Sequence, residues 1–441
     1  MSIKVAIVGS GISGLAAAHA LRGKVDITLI EAADYFGGHS HTVDVTLPTP
    51  QGELTHGVDT GFLVLNGRTY PQLIALLADL NVPSVKSEMS FSVQAIDQAN
   101  GLALEWSGSS LNTVFSQRAN LVNPRFWGML RDLLRFNALC TRMALSGGDA
   151  QLRQPLGDFL REQGFGTAFC DWYFLPMMAC IWSCPTTQML QFPVSTMVRF
   201  CHNHGLLQIT KRPQWWTVQA GARHYVEKIT AAIADKRLNT PVQRVEYLEQ
   251  APNGRGSVRV HTHAGAELFD KVIIATHSDQ ALQMLAAPTA QERQTLGAIH
   301  YQSNKAVLHT DASVLPTRKA AWAAWNYERA AAPGHEDAQV CLHYLLNRLQ
   351  PLPWQQPVLV SLNPVLAVAQ DKILGEYDYA HPVFDLAAMA AQSRMPALQG
   401  QQCRYYAGAW MGYGFHEDGL KAGLAAAEQL LADAGLAEAA A

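Results

Sequence analysis

The sequence lacks the features of several broad classes of protein. It contains no uninterrupted run of about 18 apolar residues, the length that a membrane-spanning helix requires. Only 16% of the 441 residues are charged and the net charge is −3, so binding to nucleic acid has no global electrostatic support. The seven cysteines are scattered and odd in number, which favours buried free thiols in a reducing compartment over a disulfide framework.

Motifs for metal and hydrolytic chemistry are also missing. Cys180 and Cys184 lie four residues apart, but no second Cys or His pair stands near them at the spacing of a zinc site. No Ser, His and Asp arrangement of a nucleophilic hydrolase is recognisable, and we expect no metal ion. A strand pattern begins within the first residues and leaves no room for a signal peptide. The sequence therefore predicts a cytoplasmic protein with at most peripheral membrane contact.

The most informative stretch is "VAIVGSGISGLAAAHAL", residues 5–21. It predicts a buried strand, a glycine turn, and a helix that begins at about Ser13 and whose N-terminus can face phosphate groups. A second strand, "DITLIEA", ends at Glu31, where an acceptor for ribose hydroxyls is expected. The turn, the backbone approach to a pyrophosphate and the helix packing would each require one glycine: Gly9, Gly11 and Gly14. Together these features predict a dinucleotide-binding βαβ unit.

The rest of the chain alternates between two characters. Residues 1–80, 216–297 and 396–441 carry the βαβ unit, further strands and a last amphipathic helix, and are predicted to form the nucleotide-binding domain. Residues 81–215 are mostly helical with heavy aromatic loading, and residues 298–395 are mixed and rich in Trp, Tyr and Pro. These two segments are predicted to form a second domain inserted into the first.

Six motifs in this order resemble the FAD-dependent amine oxidase and phytoene desaturase superfamily: "VGSGISGL", "LIEA", "GGHSHT", "GVDTGF", "DKVIIAT" and "YYAG…EDGLKAGLAAAE". More narrowly, "IWSCP", "RPQWWTV" and the GGH motif resemble flavoproteins found beside, or fused to, cyclopropane-fatty-acid synthases. The resemblance implies an α/β fold, with a Rossmann-like FAD-binding domain of the amine-oxidase type and an inserted α+β substrate domain. It also implies a lipid methyltransferase or cyclopropane synthase as partner.

FAD also fits the glycine doublet. An extended FAD needs further backbone close to its pyrophosphate and ribityl chain, and Gly37 and Gly38 would leave that approach open. The wider family has Arg after the doublet, whereas this chain has His39, which puts a fixed positive charge near the pyrophosphate in question.

The resemblance assigns further parts of the chain to FAD. It places residues 59–62 along the flavin approach and the backbone of Val242 at the adenine. The N-terminus of the last helix would point at the flavin pyrimidine, where its dipole stabilises the negative charge of a reduced flavin. The predicted FAD-binding residues are Gly9, Gly11, Ile12, Ser13, Gly14, Glu31, Ala32, Gly37, Gly38, His39, Thr42, Asp59, Thr60, Gly61, Phe62, Val242, Ala275, Gly408, Gly419 and Leu420.

Three residues are candidates for catalysis. Lys305 in "SNKAVLHTD" matches the strand lysine that holds a water near flavin N5 in amine oxidases, and its alternative is a solvent-facing strand lysine. His416 and Glu417 could handle a proton as a pair, or could cap the final helix. Phe415 matches the position of a cage tyrosine in amine oxidases but lacks its hydroxyl, which weakens an amine substrate.

Most tryptophans and methionines of the chain are expected in the core, but some are expected to line the substrate site: Trp182, Trp410, Met411 and Phe415. The predicted function is an FAD-dependent oxidoreductase that takes a hydride from a C–H of a hydrophobic substrate, first of all the acyl chain of a phospholipid or free fatty acid. The alternatives are an amine or polyamine oxidase, and a non-catalytic FAD-binding partner of a lipid methyltransferase.

One helix pattern, "RFWGMLRDLLRFNALCTRMAL", suggests contact with a membrane surface. Apolar and basic residues lie side by side at helical spacing, as in an interfacial helix. An internal helix with a basic outer face gives the same pattern. The residues concerned are Phe126, Met129, Leu130, Leu133 and Leu134, beside Arg125, Arg131 and Arg135.

Overall fold

A computed structural model describes residues 2–97, 102–146, 154–209, 212–249, 256–329 and 340–436. The strands of these residues are β1 Lys4–Val8, β2 Asp26–Ile30, β3 Thr42–Thr49, β4 Gly52–Asp59, β5 Leu65–Asn66, β6 Ser84–Ser87, β7 Phe91–Asp97, β8 Leu102–Ser107, β9 Trp215–Val218, β10 Asp235–Arg237, β11 Arg244–Leu248, β12 Ser257–Thr262, β13 Gly265–Phe269, β14 Lys271–Ile274, β15 His300–His309, β16 Trp325–Glu328, β17 Cys341–Leu345, β18 Leu359–Leu362, β19 Ile373–Val383 and β20 Arg404–Tyr406. The helices are α1 Ile12–Leu21, α2 Pro71–Asp79, α3 Leu111–Val114, α4 Pro124–Ser146, α5 Leu156–Glu162, α6 Thr167–Phe169, α7 Leu175–Trp182, α8 Thr186–Met189, α9 Val194–Asn203, α10 Arg223–Ala231, α11 Ser278–Met284, α12 Ala290–Leu296, α13 Leu346–Leu349, α14 Leu386–Gln392 and α15 His416–Asp433.

The first body is built on a five-stranded parallel sheet in the order β10-β2-β1-β14-β20. Its central strand β1 is almost wholly buried, because helices such as α1 and α15 cover one face of the parallel sheet and the three-stranded sheet β11-β12-β13 packs on the other. α15 packs closely on α1 at Gly423. A side chain there would not fit, since its Cβ would lie only 2.0 Å from the Ser13 carbonyl oxygen. The predicted strand, glycine turn and helix at the start of the chain are confirmed, and so is the α/β fold class.

The second body is a seven-stranded mixed sheet in the order β19-β15-β18-β17-β16-β7-β8. Its strands come from two separated parts of the chain, and β16 and β7 join them through a parallel ladder. α4 to α9 pack an aromatic core against this sheet; its most buried rings are Phe126, Phe136, Phe169, Phe174 and Phe192. The sheet therefore forms a broad platform beside the parallel sheet.

The register of the second sheet decides which side chains face the first body. Trp325 pairs directly with Tyr344, and both contribute to the cavity described below, so we call their side of the sheet the cavity face. The pair Glu328 and Cys341 lies on the opposite face, together with the side chains that follow the same alternation on β18 and β15.

α4 packs as an internal helix on one side. Phe126 and Met129, predicted as part of an interfacial stripe, are completely buried in the core. The outer side of the helix instead carries Trp127, Arg131 and Leu134, which are half or more exposed. Within the described part of the chain, no helix is both long enough and apolar enough to cross a membrane.

Candidate active site

One cavity of about 800 Å3 extends from the glycine turn after β1 to the cavity face of the seven-stranded sheet. This volume is in the upper part of the range of about 300–1,000 Å3 that small-molecule sites occupy. We call its two ends the glycine end, which includes Gly11 and Glu31, and the aromatic end, which includes Trp325 and Tyr344. Both bodies of the molecule therefore line the same site.

The three glycines of the turn are required for different reasons. Gly9 has a φ of +96°, and a Cβ on Gly14 would lie 1.9 Å from the Gly9 carbonyl oxygen, so the protein's own packing requires both. Gly11 begins α1 with φ −61° and ψ 175°, which any residue can adopt, and a Cβ there would meet nothing within 4 Å. The missing side chain of Gly11 thus keeps open space in the cavity, as the backbone approach of a ligand requires.

The N-terminus of α1 is prepared for an anion. No side chain caps this helix, and Ile12 and Ser13 line the cavity. Their free backbone N–H groups and the helix dipole can hold a phosphate. Among the described lining residues the only Lys or Arg is Arg212, so at this end the backbone would supply the attraction.

Glu31 lines the cavity at the end of β2, as predicted. Its carboxylate accepts hydrogen bonds from the Ser10 N–H at 2.7 Å, the Ser10 hydroxyl at 2.6 Å and the Ala33 N–H at 3.0 Å. These donors fix the carboxylate at the rim of the turn.

His39 is the strongest sign that a ligand completes this end. It lines the cavity, and its Nε2 is buried and has no hydrogen-bond partner among the described residues. An unpaired buried polar group costs about 1–3 kcal/mol, which a ligand atom could recover. Burial, and beyond it the neighbouring His381, hold the pKa of His39 well below its usual value, so the side chain is neutral and supplies no fixed charge.

His416 also lines the cavity, at the start of α15. Its ring stacks on Phe62 with centroids 3.9 Å apart, and its Nε2 lies 2.7 Å from the Tyr225 hydroxyl. Burial lowers its pKa to about 3. His416 therefore stays neutral near pH 7 and cannot serve as a cationic proton donor.

Glu417 does not form a proton-handling pair with His416. Its carboxylate turns away from the cavity and accepts the backbone N–H groups of Gln72 and Leu73, each at 3.0 Å, at the start of α2. The carboxylate that caps α15 belongs to Asp418 in its first turn, which accepts hydrogen bonds from the Tyr413 N–H and from the N–H of the N-cap residue Phe415. The proton-handling pair is therefore corrected. Glu417 does lie in the first turn of α15, where an acid is favourable, but the capping carboxylate lies one residue later.

The structure also corrects the placement of Lys305. Its side chain lies on the opposite face of the seven-stranded sheet, is 52% exposed, and has its Nζ 2.9 Å from a Glu376 carboxylate oxygen. Successive strand residues point to opposite faces, so Asn304 takes the inward position that the motif assigns to the lysine. The Asn304 Nδ2 lies 3.0 Å from Nδ1 of His381, which lines the cavity.

The other predicted FAD-binding residues fall into two groups. Those that line the cavity are Gly9, Gly11, Ile12, Ser13, Glu31, Gly38, His39, Gly61, Phe62, Ala275 and Gly408. Those outside its lining are Gly14, Ala32, Gly37, Thr42, Asp59, Thr60, Val242, Gly419 and Leu420. Contact of the second group with a cofactor stays a prediction.

Asp59 shows what the second group does structurally. Its buried carboxylate accepts hydrogen bonds from Thr42, from the Ala222 N–H at 3.0 Å and from the Gln350 amide at 2.7 Å. Burial raises its pKa to about 6. Asp59 thus joins three distant segments behind the cavity wall that Gly61 forms.

Three of the four predicted substrate-lining residues line the cavity: Trp182, Trp410 and Phe415. The indole N–H groups of the two tryptophans are occupied, since Trp182 donates to the Tyr413 carbonyl and Trp410 to the Thr276 carbonyl. Met411 is outside the lining and packs between two core clusters of the first body, which corrects its assignment.

Sequence reasoning missed the far wall. Trp325 and Tyr344 stack edge to face with ring centroids 5.0 Å apart, and the buried Trp325 Nε1 has no hydrogen-bond partner in the described part of the chain. Arg212 also lines the cavity, and its Nε donates to the Gln208 carbonyl at 2.8 Å. The motifs "WNYE" and "CLHYL" predict strands by alternation, but nothing in the sequence shows that these strands pair.

The comparisons with known proteins agree with this geometry. The profile of the family described as flavin containing amine oxidoreductase matches residues 12–349. No curated protein matches the sequence.

Solved structures with the same fold cover nearly the whole chain. A fatty acid isomerase from P. acnes that produces CLA is 17% identical with a TM-score of 0.64, and covers 98% of both chains. Wild-type putrescine oxidase bound to putrescine is 16% identical with a TM-score of 0.66, covering 98% of this chain and 99% of its own. Cyclohexylamine oxidase from Brevibacterium oxydans IH-35A is 15% identical with a TM-score of 0.65, covering 99% and 100%.

Proposed function

The chain belongs to the family of flavin-containing amine oxidoreductases, its cofactor is FAD, and we propose that it oxidises a hydrophobic substrate, namely the acyl chain of a lipid. When bound, FAD accepts a hydride equivalent from a substrate C–H. The observation that carries the proposal is the aromatic end of the cavity, which continues from the glycine end without a break.

The residues at the glycine end fit FAD. Gly11 leaves space that the protein's own packing does not need, and the amides of Ile12 and Ser13 can receive the pyrophosphate. Glu31 is positioned to accept hydrogen bonds from ribose hydroxyls, and the unpaired Nε2 of His39 can form a hydrogen bond with a polar atom of the cofactor. The protein would thus orient the cofactor through backbone groups, one carboxylate and a neutral imidazole.

The walls of the aromatic end favour an apolar chain. Rings follow one another from Trp182 to Phe200, with centroids 4.6 Å apart, and from Phe200 to Phe415, 4.9 Å apart. Such walls exclude water and hold a carbon chain against the cofactor through burial of apolar surface.

An amine substrate is the enzyme alternative, and the charges of the cavity argue against it. Two described carboxylates line the site, Glu31 and Glu88. Glu31 is held by Ser10, and Glu88 pairs with Arg348 at 2.8 Å and accepts a hydrogen bond from Ser90. A protonated amine would therefore find aromatic faces but no spare carboxylate among these residues.

We place the polar end of the substrate at the far wall. The unpaired Trp325 N–H is a donor at this wall and Arg212 is a second donor in the cavity lining, and donors suit a carboxylate or an ester carbonyl. Arg212 lies near the buried hydroxyl of Tyr173, whose pKa it lowers against the larger effect of burial, which raises it to about 12.

The test is anaerobic reduction of the FAD-loaded protein, followed by flavin absorbance. Oleic acid, a dioleoyl phospholipid, oleylamine and putrescine are compared, and products are analysed for new or moved double bonds. Bleaching by either acyl lipid with a new double bond supports the proposal. Bleaching by an amine alone contradicts it, and so does a shifted double bond without net reduction, which would indicate an isomerase.

We also propose that the protein takes this substrate from a membrane surface. Ile209 lines the cavity and is 59% exposed, and further exposed apolar residues lie on the outer side of α4 and the segment before it, including Val122 at 85%, Trp127 and Leu134. Arg131 on the same side can interact with anionic headgroups. Apolar side chains beside a cavity mouth fit transfer of a lipid without passage through water.

Co-sedimentation with vesicles of anionic phospholipid at low salt tests this surface. Trp127→Ser combined with Leu134→Ser should reduce binding at least about fivefold, a loss of about 1 kcal/mol. Leu366→Ser, at a position 54% exposed elsewhere, is the control and should bind as the wild type does. Absence of binding by the wild type, or equal binding by all variants, would contradict the proposal.

A further inference from the structure

Glu328, Cys341 and His343 form a compact cluster on the face of the seven-stranded sheet that points away from the cavity. The Cys341 Sγ lies 3.5 Å from the His343 Nε2 and 3.6 Å from a Glu328 carboxylate oxygen, and that oxygen lies 3.0 Å from the same His343 nitrogen. Thiol, imidazole and carboxylate are the three ligand types that zinc accepts most often.

These separations match the edges of a zinc tetrahedron. Bond lengths of about 2.3 Å to sulfur and about 2.0 Å to nitrogen and oxygen place sulfur about 3.5 Å from the other two ligands, and those two about 3.3 Å apart. Two observed edges agree, and the third requires a movement of only a few tenths of an ångström. Zinc would therefore find its ligands already assembled.

The strands hold the cluster in place. Glu328 pairs directly with Cys341 across β16 and β17, and His343 stands two residues further on the same face of β17. Behind the imidazole, the His343 Nδ1 lies 2.6 Å from the Ser361 hydroxyl, which lies 2.7 Å from the His309 Nε2. A partner on the second ring nitrogen is what metal-ligating histidines require to fix their orientation.

The cluster is closed on one side and open on the other. Cys341 and His343 are buried, whereas the Glu328 side chain is 14% exposed. Three protein ligands with solvent access leave the fourth position to a water molecule. Burial and the adjacent Glu328 raise the pKa of the Cys341 thiol, so metal binding must release its proton to solvent and replace the hydrogen bond between His343 and Glu328.

We propose that Glu328, Cys341 and His343 bind one zinc ion, separate from the flavin site, that fastens β16 to β17. These two strands carry Trp325 and Tyr344 on the cavity face, so the ion would stiffen the far wall of the cavity from behind. The sequence predicted no metal because Glu328 lies 13 positions before Cys341, and only the strand pairing brings them together.

The experiment uses the full-length, FAD-loaded protein. It is stripped with a chelator, dialysed and supplied with zinc, and the bound zinc is counted per chain and examined by X-ray absorption at the zinc edge. We expect one ion per chain with one sulfur ligand at about 2.3 Å and nitrogen or oxygen ligands at about 2.0 Å. Neither measurement depends on turnover or on the substrate.

Two variants and one control localise the site. Cys341→Ser should remove the sulfur signal, and Cys341→Ser and Glu328→Gln should each weaken zinc binding at least about tenfold, or about 1.4 kcal/mol. Cys184→Ser replaces another buried cysteine, whose sulfur contacts Met189, and should bind as the wild type does. The proposal is overturned if the folded wild type binds no stoichiometric zinc or binds it without a sulfur ligand. The three side chains would then form only a hydrogen-bonded cluster. Both results come from the wild type, so they hold even if the variants fail to fold.

Discussion

The two ends of the cavity recognise their ligands by different means. At the glycine end the contacts are backbone groups, the N-terminus of α1, the Glu31 carboxylate and the neutral His39, nearly all from short stretches of the chain. At the aromatic end they are side chains from strands and helices far apart in sequence, such as Trp182, Trp325 and Tyr344. A short local motif is thus enough to bind the cofactor, whereas the substrate is selected by side chains that only the tertiary fold brings together.

The largest expected effect comes from filling the glycine end. Gly11→Val should fold, because its backbone and surroundings accept a side chain, but the added carbons would occupy cofactor space. FAD binding should weaken at least about 100-fold, or about 2.7 kcal/mol, measured by titrating apoprotein with FAD. Gly128→Val, at another position without neighbours for a Cβ, should bind FAD normally. An equally yellow Gly11→Val protein would show that the cofactor lies elsewhere.

Lowering the pH tests whether His416, which lines the cavity, is held in its neutral form. Its pKa of about 3 is below the unfolded value of about 6.5, so the native state resists protonation and the stabilisation is lost as pH falls below 6.5. Between pH 6.5 and 5 this group alone should lower the free energy of unfolding by about 1.6 kcal/mol. His416→Gln should therefore lose that much less stability than the wild type, as measured by urea unfolding. The exposed His300→Gln should show the wild-type slope, and identical slopes for all three proteins would place His416 in contact with water.

Removing the hydroxyl of a tyrosine behind His416 should differ in effect from removing the hydroxyl of a tyrosine that lines the aromatic end. Tyr225→Phe removes the closer of the two hydroxyls at the His416 Nε2 and the partner of the Ser40 hydroxyl, and should cost about 1–2 kcal/mol of stability. The Tyr344 hydroxyl makes no hydrogen bond within the described part of the chain, so Tyr344→Phe should change stability by less than about 0.5 kcal/mol. Its effect should appear in weaker binding of oleic acid, measured by calorimetry. A stability loss equal to that of Tyr225→Phe would mean that Tyr344 serves the fold rather than the ligand.

The smallest effect is expected at Lys305. Lys305→Met removes an exposed ion pair, which should cost no more than about 0.5 kcal/mol. Flavin reduction and reoxidation, followed by stopped flow, should keep their wild-type rates, whereas Asn304→Ala on the cavity face should alter at least one of them. A tenfold slower half-reaction in Lys305→Met would restore the amine-oxidase role of this lysine.

Structure could be predicted best from the sequence where the steric requirements of one short motif alone determine the local fold. The strand, turn and helix around Gly9, Gly11 and Gly14 are dictated by local sterics, so their positions could be predicted closely. The predicted role of Lys305 was wrong because the spacing of a strand motif does not determine which face of the sheet a side chain occupies. A shift of one residue moves the side chain to the opposite face. The predicted role of Glu417 was wrong for a similar reason. Its carboxylate caps α2, which begins at Pro71, and the sequence around α15 does not show that these two helices are in contact.

The order of strands in the parallel sheet has a consequence for how the chain comes to fold. The edge strand β20, at Arg404–Tyr406, pairs with β14, and α15 covers α1 near the other end of the chain. During synthesis, β1 and β2 therefore leave the ribosome long before the segments that complete their sheet and cover α1. Long-range pairing of this kind slows folding and exposes apolar surface in the meantime. Newly made chains should accordingly depend on chaperones, and on FAD captured early by the glycine turn, more than a small domain of local contacts would.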